Sequence, residues 1–344
     1  MLNKFAFDKY DVALITDEKE RLYYLGFHST AGYVVVTKDE TFFVVDNRYF
    51  KAAEKALTKK GVKVISGADY SVFKEIADKI NAATVGIDFT KVTLSGFEVL
   101  KKLGYDYVDI SQELVKMAAI KSDEELKNIK KACDIAEKSW LAVLPFIKEG
   151  ITEKQLAAEL EYNFRKNAAV PHHETGDTKL KKNECVLMDF GCTYKGYCSD
   201  MTRTMFFGTP DEEFEKVYLA VLLAHKTAAE KIKAGITGKD ADKYARDVLD
   251  SLGYGKYVTH SLGHGIGVNI HEFPTLSPKG EATLEDGMVF SDEPGVYING
   301  KFGVRIEDSC YMLDGKFHTF MKDDKSLVVI GENGEIQRKK LIKK

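Results

Sequence analysis

Four acidic residues sit where a soluble strand does not want them. Asp189 lies on the apolar run VLMDF, Asp200 begins the run DMTRTMFF, and Glu293 and Glu307 are embedded among Val, Phe, Ile and Tyr in MVFSDEPGVYINGKFGVRIEDSCYM. Turn signals suggest how they meet. A hairpin centred on Tyr194-Lys195 places Asp189 opposite Asp200. Asn299-Gly300 is a strong turn signal, and a turn centred on Gly300 places Glu293 opposite Glu307. Directly opposed residues have Cβ atoms ~4.5–5.5 Å apart, so paired carboxylates repel unless a cation sits between them. A bulge in either strand would shift its register by one. The alternative for the first hairpin is a plain turn carrying two exposed acids.

Histidines supply the remaining chemistry. Five of the eight fall in two clusters, PHH at 171–173 and HSLGHGIGVNIHE at 260–272. The glycines around His264 make a poor dinucleotide fingerprint, because no strand–turn–helix context surrounds them. They suit a close approach of backbone to a packed site. His225 and His318 read as ordinary core or surface histidines. His264 beside four carboxylates is different. One imidazole and four carboxylates form an oxygen-rich donor set suited to a pair of divalent ions, with Mn²⁺, Co²⁺ or Fe²⁺ more natural than a structural Zn²⁺. A two-metal site ~3.5–4 Å across is a hydrolytic device.

Composition narrows the setting. Fifty basic against fifty-three acidic residues leave a net charge of −3, with no excess of positive charge to neutralise a nucleic-acid backbone. The longest apolar stretch, Leu219–Ala224, is far short of the ~20 residues of a membrane span. The N-terminal residues carry acids and no apolar h-region, unlike a signal peptide. Five cysteines without dense spacing suit a reduced, cytoplasmic setting.

At 344 residues the chain has room for roughly two domains. The first half alternates short β-rich runs (Val34–Thr37, Phe42–Val45, Val62–Ile65, Thr84–Asp88) with helical stretches such as Tyr49–Lys60 and Leu94–Leu103. That alternation predicts an α/β layer domain over 1–119. Ser122 with Glu125 resembles a capping box opening a helix over Glu124–Ile147, and Thr152 with Gln155 repeats the signal for a helix to Asn167. Strands at Cys185–Phe190, Met201–Phe207, Val289–Asn299 and Gly303–Met312, with helices at Asp211–Ala234 and Lys239–Leu252, predict an α+β domain over 120–344, its strands antiparallel. The basic tail Arg338–Lys344 reads as a solvated end.

The segments MDFG, YCSDMTRT, HSLGHGIGVNIHE, DEPGVYI and VRIED resemble the metal-binding motifs of the pita-bread metallopeptidases. Within that family the chain is similar to the Xaa-Pro dipeptidases (prolidases) and the Xaa-Pro aminopeptidases. The intervals 189→200, 200→264, 264→293 and 293→307, of 11, 64, 29 and 14 residues, suit the fold, and the motifs cover most of 184–313. YYLGF and DNRYFKAA look like the family's creatinase-type N-terminal domain, which methionine aminopeptidase lacks. Creatinase itself lacks the metal ligands that are complete here.

The resemblance implies a role for each residue. Asp189 holds one metal, His264 and Glu293 the other, and Asp200 and Glu307 bridge. A hydroxide between the ions attacks the carbonyl of an Xaa-Pro bond, in a dipeptide or a short peptide. Glu293 relays the proton to the proline nitrogen. His172 and His271 hydrogen-bond the substrate and the oxyanion, and Arg305 orients the carboxylates. A homodimer is the family's usual state. A weakly active or inactive binding protein on the same scaffold is the alternative.

Three departures bear on that reading. Thr275 follows HEFP where prolidases often carry an arginine that grips a dipeptide's carboxylate, and a threonine cannot form that clamp. Only Arg165–Val170 connect Phe164 to Pro171, where the family has a longer segment forming part of the pocket wall. Asp292 precedes Glu293 where the family places an apolar residue, so its charge either disturbs the local field or points to solvent across the strand.

Overall fold

The protein is described here by a computed structural model covering residues 5–172 and 176–341, with His172 defined by its backbone. Two compact units divide the chain, Met1–Ala118 and Ala119–Lys344.

In the first unit the strands Val12–Ile15, Tyr33–Val36 and Thr41–Val45 are buried at every position. They lie centrally in a six-stranded sheet ordered Val62–Ser66, Thr41–Val45, Tyr33–Val36, Val12–Ile15, Thr84–Ile87 and Asp106–Asp109. Alternate residues feed two cores. Ala13, Ile15, Val34, Val36 and Phe43 meet Ala53 and Leu57 of the helix Phe50–Leu57. Val12, Leu14, Val35, Phe42 and Val44 meet Phe73 and Ile76 of the helix Ser71–Lys79. A sheet covered on both faces reads as near-continuous apolar strands, which explains the Val-rich runs of this α/β layer domain.

The second unit opens with two capped helices, Asp123–Val143 and Glu153–Lys166, where Ser122/Glu125 and Thr152/Gln155 both close complete capping boxes. One sheet runs Ile336–Lys339, Leu327–Ile330, Met201–Phe207, Glu184–Tyr194 and Val170–His172, with Tyr197–Cys198 also on Glu184–Tyr194. A second runs Glu272–Leu276, Gly263–Gly265, Val289–Asp292, Asp308–Leu313 and Lys316–Thr319. The helices Glu212–Lys231 and Gly238–Ser251 bury Val217, Val221, Ala241 and Leu249 in a common core with Phe290 and Met312. One pairing is not antiparallel: Met201–Phe207 runs parallel to Leu327–Ile330. The basic tail is part of the sheet up to Lys339, and Arg338 reaches Asp323 at 2.6 Å. A mixed sheet beside an antiparallel one, both with helices, is the arrangement that the resemblance to pita-bread metallopeptidases implies.

The two hairpins differ from expectation in instructive ways. Lys195 (φ +49°) and Gly196 (φ +87°) form a left-handed two-residue turn, the conformation that matches the strand twist. The turn therefore centres one residue later than expected, and Asp189 faces Thr202 while Asp200 lies two residues along. The second hairpin keeps the expected register about Gly300, from Ile298↔Phe302 through Gly295↔Arg305 to Asp292↔Asp308. Its strands are nonetheless broken, into Val289–Asp292 with Gly295–Ile298 and Phe302–Arg305 with Asp308–Leu313. Pro294 has no N–H to give the ladder, and the Glu307 N–H turns away to donate to Thr202 O at 3.1 Å.

Candidate functional site

That detour ties the two hairpins together. The Thr202↔Glu307 bridge joins the first sheet to the second, and Thr202 is the residue opposite Asp189. Carboxylate oxygens of Asp189, Asp200 and Glu307 consequently lie within 4.8 Å of one another. His264 meets Glu293 and Glu307 on the same scale, and Asp200 meets His264 and His271. His264 Nε2 is 3.5 Å from Asp200 and 3.3 Å from Glu293. The rings of His264 and His271 stand edge to face, 4.1 Å apart. His172 lies on the strand opposite Gly191, but its side chain, like His173, falls outside the described residues.

The segment carrying His264 runs where side chains cannot fit. A Cβ on Gly263 would sit 2.0 Å from Ser291 O, and one on Gly265 would sit 2.2 Å from Phe273 O. Glycine at both positions is a steric requirement. The Nδ1–H of His264 donates to Gly265 O at 3.1 Å, and a carbonyl can only accept, so Nε2 keeps its lone pair toward the carboxylates. Burial holds the His264 pKa down at about 4, leaving the ring neutral at pH 7.

The carboxylates are less comfortable. Asp200 and Glu307 are 5% and 1% exposed, and Glu307 Oε1 has no hydrogen-bond partner. Burial, then repulsion among Asp189, Asp200, Glu293 and Glu307, pushes the Asp200 and Glu307 carboxyls well above the usual range. Glu293 is pushed up to about 7, chiefly by burial, with Arg305 and Ser291 resisting. Among the described residues one guanidinium faces this set: Arg305 contacts Asp189 directly. Its Nε donates to Thr202 Oγ1 at 2.9 Å, and Thr202 donates to Glu307 Oε2 at 2.6 Å. Arg305 Nη1 also donates to Tyr297, whose hydroxyl donates to His260 Nε2 at 2.8 Å. Ser291 Oγ donates to Glu293 at 2.9 Å while accepting from His264 N. An orphaned buried carboxylate oxygen, mutually repelling acids and a neutral imidazole with its lone pair turned inward fit divalent cations.

Sequence reasoning missed Thr202, Tyr297, His260 and Ser291 as supports. It also missed what lies on the far face of the second hairpin. Asp292 is fully buried, not solvent-facing, and His225 Nδ1 lies 3.0 Å from it without an aligned N–H, an ion pair rather than a linear hydrogen bond. His225 Nε2 is 3.7 Å from Asp308, which also pairs with Arg203 and Lys325 at 2.8 and 2.7 Å. Burial works against the His225 imidazolium, but Asp292 and Asp308 outweigh it and raise its pKa to about 9. Burial likewise opposes the Asp308 charge, yet Arg203, His225 and Lys325 hold the carboxyl well below the usual range. The available signal was two further acids, each flanking a strand glutamate, and a histidine on the apolar face of a helix.

Comparison with known proteins identifies the family. Residues 127–314 match metallopeptidase family M24, and residues 2–120 match the Creatinase/Prolidase N-terminal domain. The chain is 33% identical to a Xaa-Pro dipeptidase of Pyrococcus horikoshii, over 92% of this chain and 94% of that protein. Among solved structures it resembles a Xaa-Pro dipeptidase from Bacillus anthracis (TM-score 0.90, 33% identity, 94% of this chain and 97% of that one). It also resembles an X-Pro aminopeptidase from Thermotoga maritima (TM-score 0.85, 30% identity, covering 94% and 96%). The chain belongs to metallopeptidase family M24 and carries that family's creatinase/prolidase N-terminal domain.

Proposed function

We propose that this peptidase hydrolyses the bond preceding proline in Xaa-Pro dipeptides or short Xaa-Pro peptides, using two divalent ions. The observation that carries the reading is the convergence of Asp189, Asp200, Glu293, Glu307 and a neutral His264 against one opposing guanidinium. Asp189 would hold one ion and His264 with Glu293 the other, with Asp200 and Glu307 shared. Such a hard-to-borderline donor set suits Mn²⁺, Co²⁺ or Fe²⁺. When bound, the ions supply Lewis acidity at the scissile carbonyl and bring the pKa of water toward neutrality.

The protein's own groups do the rest. Glu293, held by Ser291 beside His264, would take a proton and deliver it to the departing proline nitrogen. His271 faces the cluster and would hydrogen-bond the developing oxyanion, with His172 gripping the substrate. Arg305 and Thr202 fix Asp189 and Glu307. Thr275 lies opposite His264 and is exposed, so a dipeptide's free carboxylate finds no bidentate clamp there. That favours peptides longer than two residues. Only residues 167–169 separate the helix Glu153–Lys166 from the strand Val170–His172. We expect that short connection to leave the pocket wall incomplete, with kcat/KM on Xaa-Pro dipeptides below about 10⁴ M⁻¹s⁻¹. Among the described residues no helix is long and apolar enough to cross a membrane, and the reading places a homodimer in the cytoplasm.

The test is an assay of purified protein, with Mn²⁺ or Co²⁺ added, against Xaa-Pro dipeptides and Xaa-Pro-Yaa tripeptides. Metal-dependent release of the N-terminal residue is expected. Absence of hydrolysis with metal bound would overturn the reading, and sedimentation would check the dimer.

A further inference from the structure

Among the described residues, the strand that carries Asp189 has one edge half used. Glu184–Tyr194 pairs with Met201–Phe207 along one side, but on the other side Val170–His172 covers only Gly191, Cys192 and Thr193. From Glu184 to Phe190 no strand among the described residues occupies that edge. The next described stretch is held elsewhere: Thr178–Leu180 exchanges backbone hydrogen bonds with Gly150, Ile151 and Glu153 at 2.8–3.1 Å. Between that stretch, the helix Glu153–Lys166 and the strand lies a cavity of about 320 Å³, at the small end of the ~300–1000 Å³ typical of ligand pockets.

Its lining shows how it meets the strand. Every residue from Glu184 to Phe190 borders it. Successive strand residues point to opposite faces, so a cavity touched by seven in a row must meet the strand edge-on, where backbone N–H and C=O groups emerge. The opposite wall sets Leu156, Leu160 and Leu180 among the polar residues Thr152, Glu153, Thr178 and Lys179. Val186 and Leu187 are only half-buried beside it. The groove ends at Asp189, whose carboxylate belongs to the proposed metal cluster.

We propose that this edge binds the part of a peptide substrate C-terminal to its proline, as an added antiparallel strand. The inference rests on the peptidase reading and names the substrate class: extended apolar peptides rather than dipeptides. An unpaired edge complements an extended backbone, and alternate residues of the strand direct their hydrogen-bonding groups to it. Continuing in the direction of Val170–His172, a chain leaving the Asp189 end would run antiparallel toward Glu184. Seven residues at ~3.3 Å each accommodate several residues beyond the scissile bond. Their side chains would alternate between the leucine wall and solvent.

The experiment compares Ala-Pro, Ala-Pro-Val, Ala-Pro-Val-Leu and Ala-Pro-Val-Leu-Val on the Mn²⁺-loaded full chain. We expect kcat/KM to rise at least tenfold along the series, through KM. N-methylation of every second amide beyond proline should abolish the gain, while methylating the interleaved amides should leave it. Leu180→Glu should remove the gain while leaving Ala-Pro hydrolysis unchanged. If Ala-Pro is cleaved but length and methylation have no effect, the edge is not a subsite and the peptidase reading stands. If no peptide is cleaved with metal bound, the peptidase reading fails, and anisotropy of the fluorescein-labelled pentapeptide decides this proposal. Binding with the same alternating sensitivity to methylation supports it, and no binding overturns it.

Discussion

The hairpin running from Val289 to Leu313 carries acids on both faces, and the two faces are solved differently. On one face Asp292 and Asp308, with Asp323 nearby, meet Arg203, His225, Lys325 and Arg338, three acids against four cations. On the other, Glu293 and Glu307 meet Asp189 and Asp200, with Arg305 alone against four acids among the described residues. Adjacent strand residues point to opposite sides, so neighbouring positions produce both environments. Asp200 and Glu307 are buried much as Asp292 and Asp308 are, with Asp189 half exposed, but compensation differs. A buried charge that is paired is tolerated, whereas an excess of one sign shifts its pKa or recruits an ion. The compensated cluster reads as structure, and the uncompensated one as a place for metal.

Substitutions should separate them by sign. The largest effect is expected on turnover: Glu293→Gln should lower kcat by about 10²–10⁴-fold with a smaller change in KM, since a group acting in the transition state is lost from kcat. A variant keeping most of its turnover would assign the proton to another group. Next, Asp308→Asn should cost about 3–5 kcal/mol of stability, because Arg203 and Lys325 lose a buried partner. Asp200→Asn in metal-free protein should instead be neutral or stabilising, because it relieves repulsion. Denaturant midpoints of both variants measured side by side would break the comparison if they fell equally. Arg305→Lys should be milder, about 10–100-fold in activity or metal affinity, because lysine cannot hold Asp189, Thr202 and Tyr297 together.

Glu293 and Asp308 should tilt stability with pH in opposite directions, while His225, raised from 6.5 to about 9, loses its contribution as pH rises, as Glu293 does. Glu293 has its carboxyl raised from 4.5 to about 7 in the folded protein, so the native state holds the proton more tightly. Its contribution is fully present below pH 4.5 and is lost as pH rises through about 7. Asp308 is lowered from 3.8, so its contribution is present above that value and is lost only as pH falls further. Thermal melts of metal-free protein should therefore fall between pH 5 and 8, by a modest amount, and Mn²⁺ should flatten that decline. A metal-free melting temperature that rises over this range would contradict the assignment.

Much of this was legible locally. Capping boxes at Ser122 and Thr152 involve residues three apart, and Asn299-Gly300 sets its hairpin register by turn chemistry alone. The first hairpin was harder, because Lys195 adopts a left-handed conformation that a lysine does not advertise. The resulting shift moved the partner of Asp189 by two residues, and a shift of two keeps both aspartates on one face where a shift of one would have parted them. What stayed hidden depends on distant segments meeting: Thr202 bridging to Glu307, Met201–Phe207 lying parallel to Leu327–Ile330, and His225 reaching Asp292. No local propensity encodes those contacts. Asp292 looked like a disturbance because the partner that neutralises it lies 67 residues away in sequence.

Metal stoichiometry tests the central claim most directly. Calorimetric titration of metal-free protein with Mn²⁺, checked by elemental analysis after desalting, should give two ions per chain, with proton release as the raised carboxyls ionise. Asp200→Asn combined with Glu307→Gln should abolish binding, while Asp308→Asn, if folded, should retain it. Binding of no ions, or two ions bound equally well by the double variant, would contradict the account.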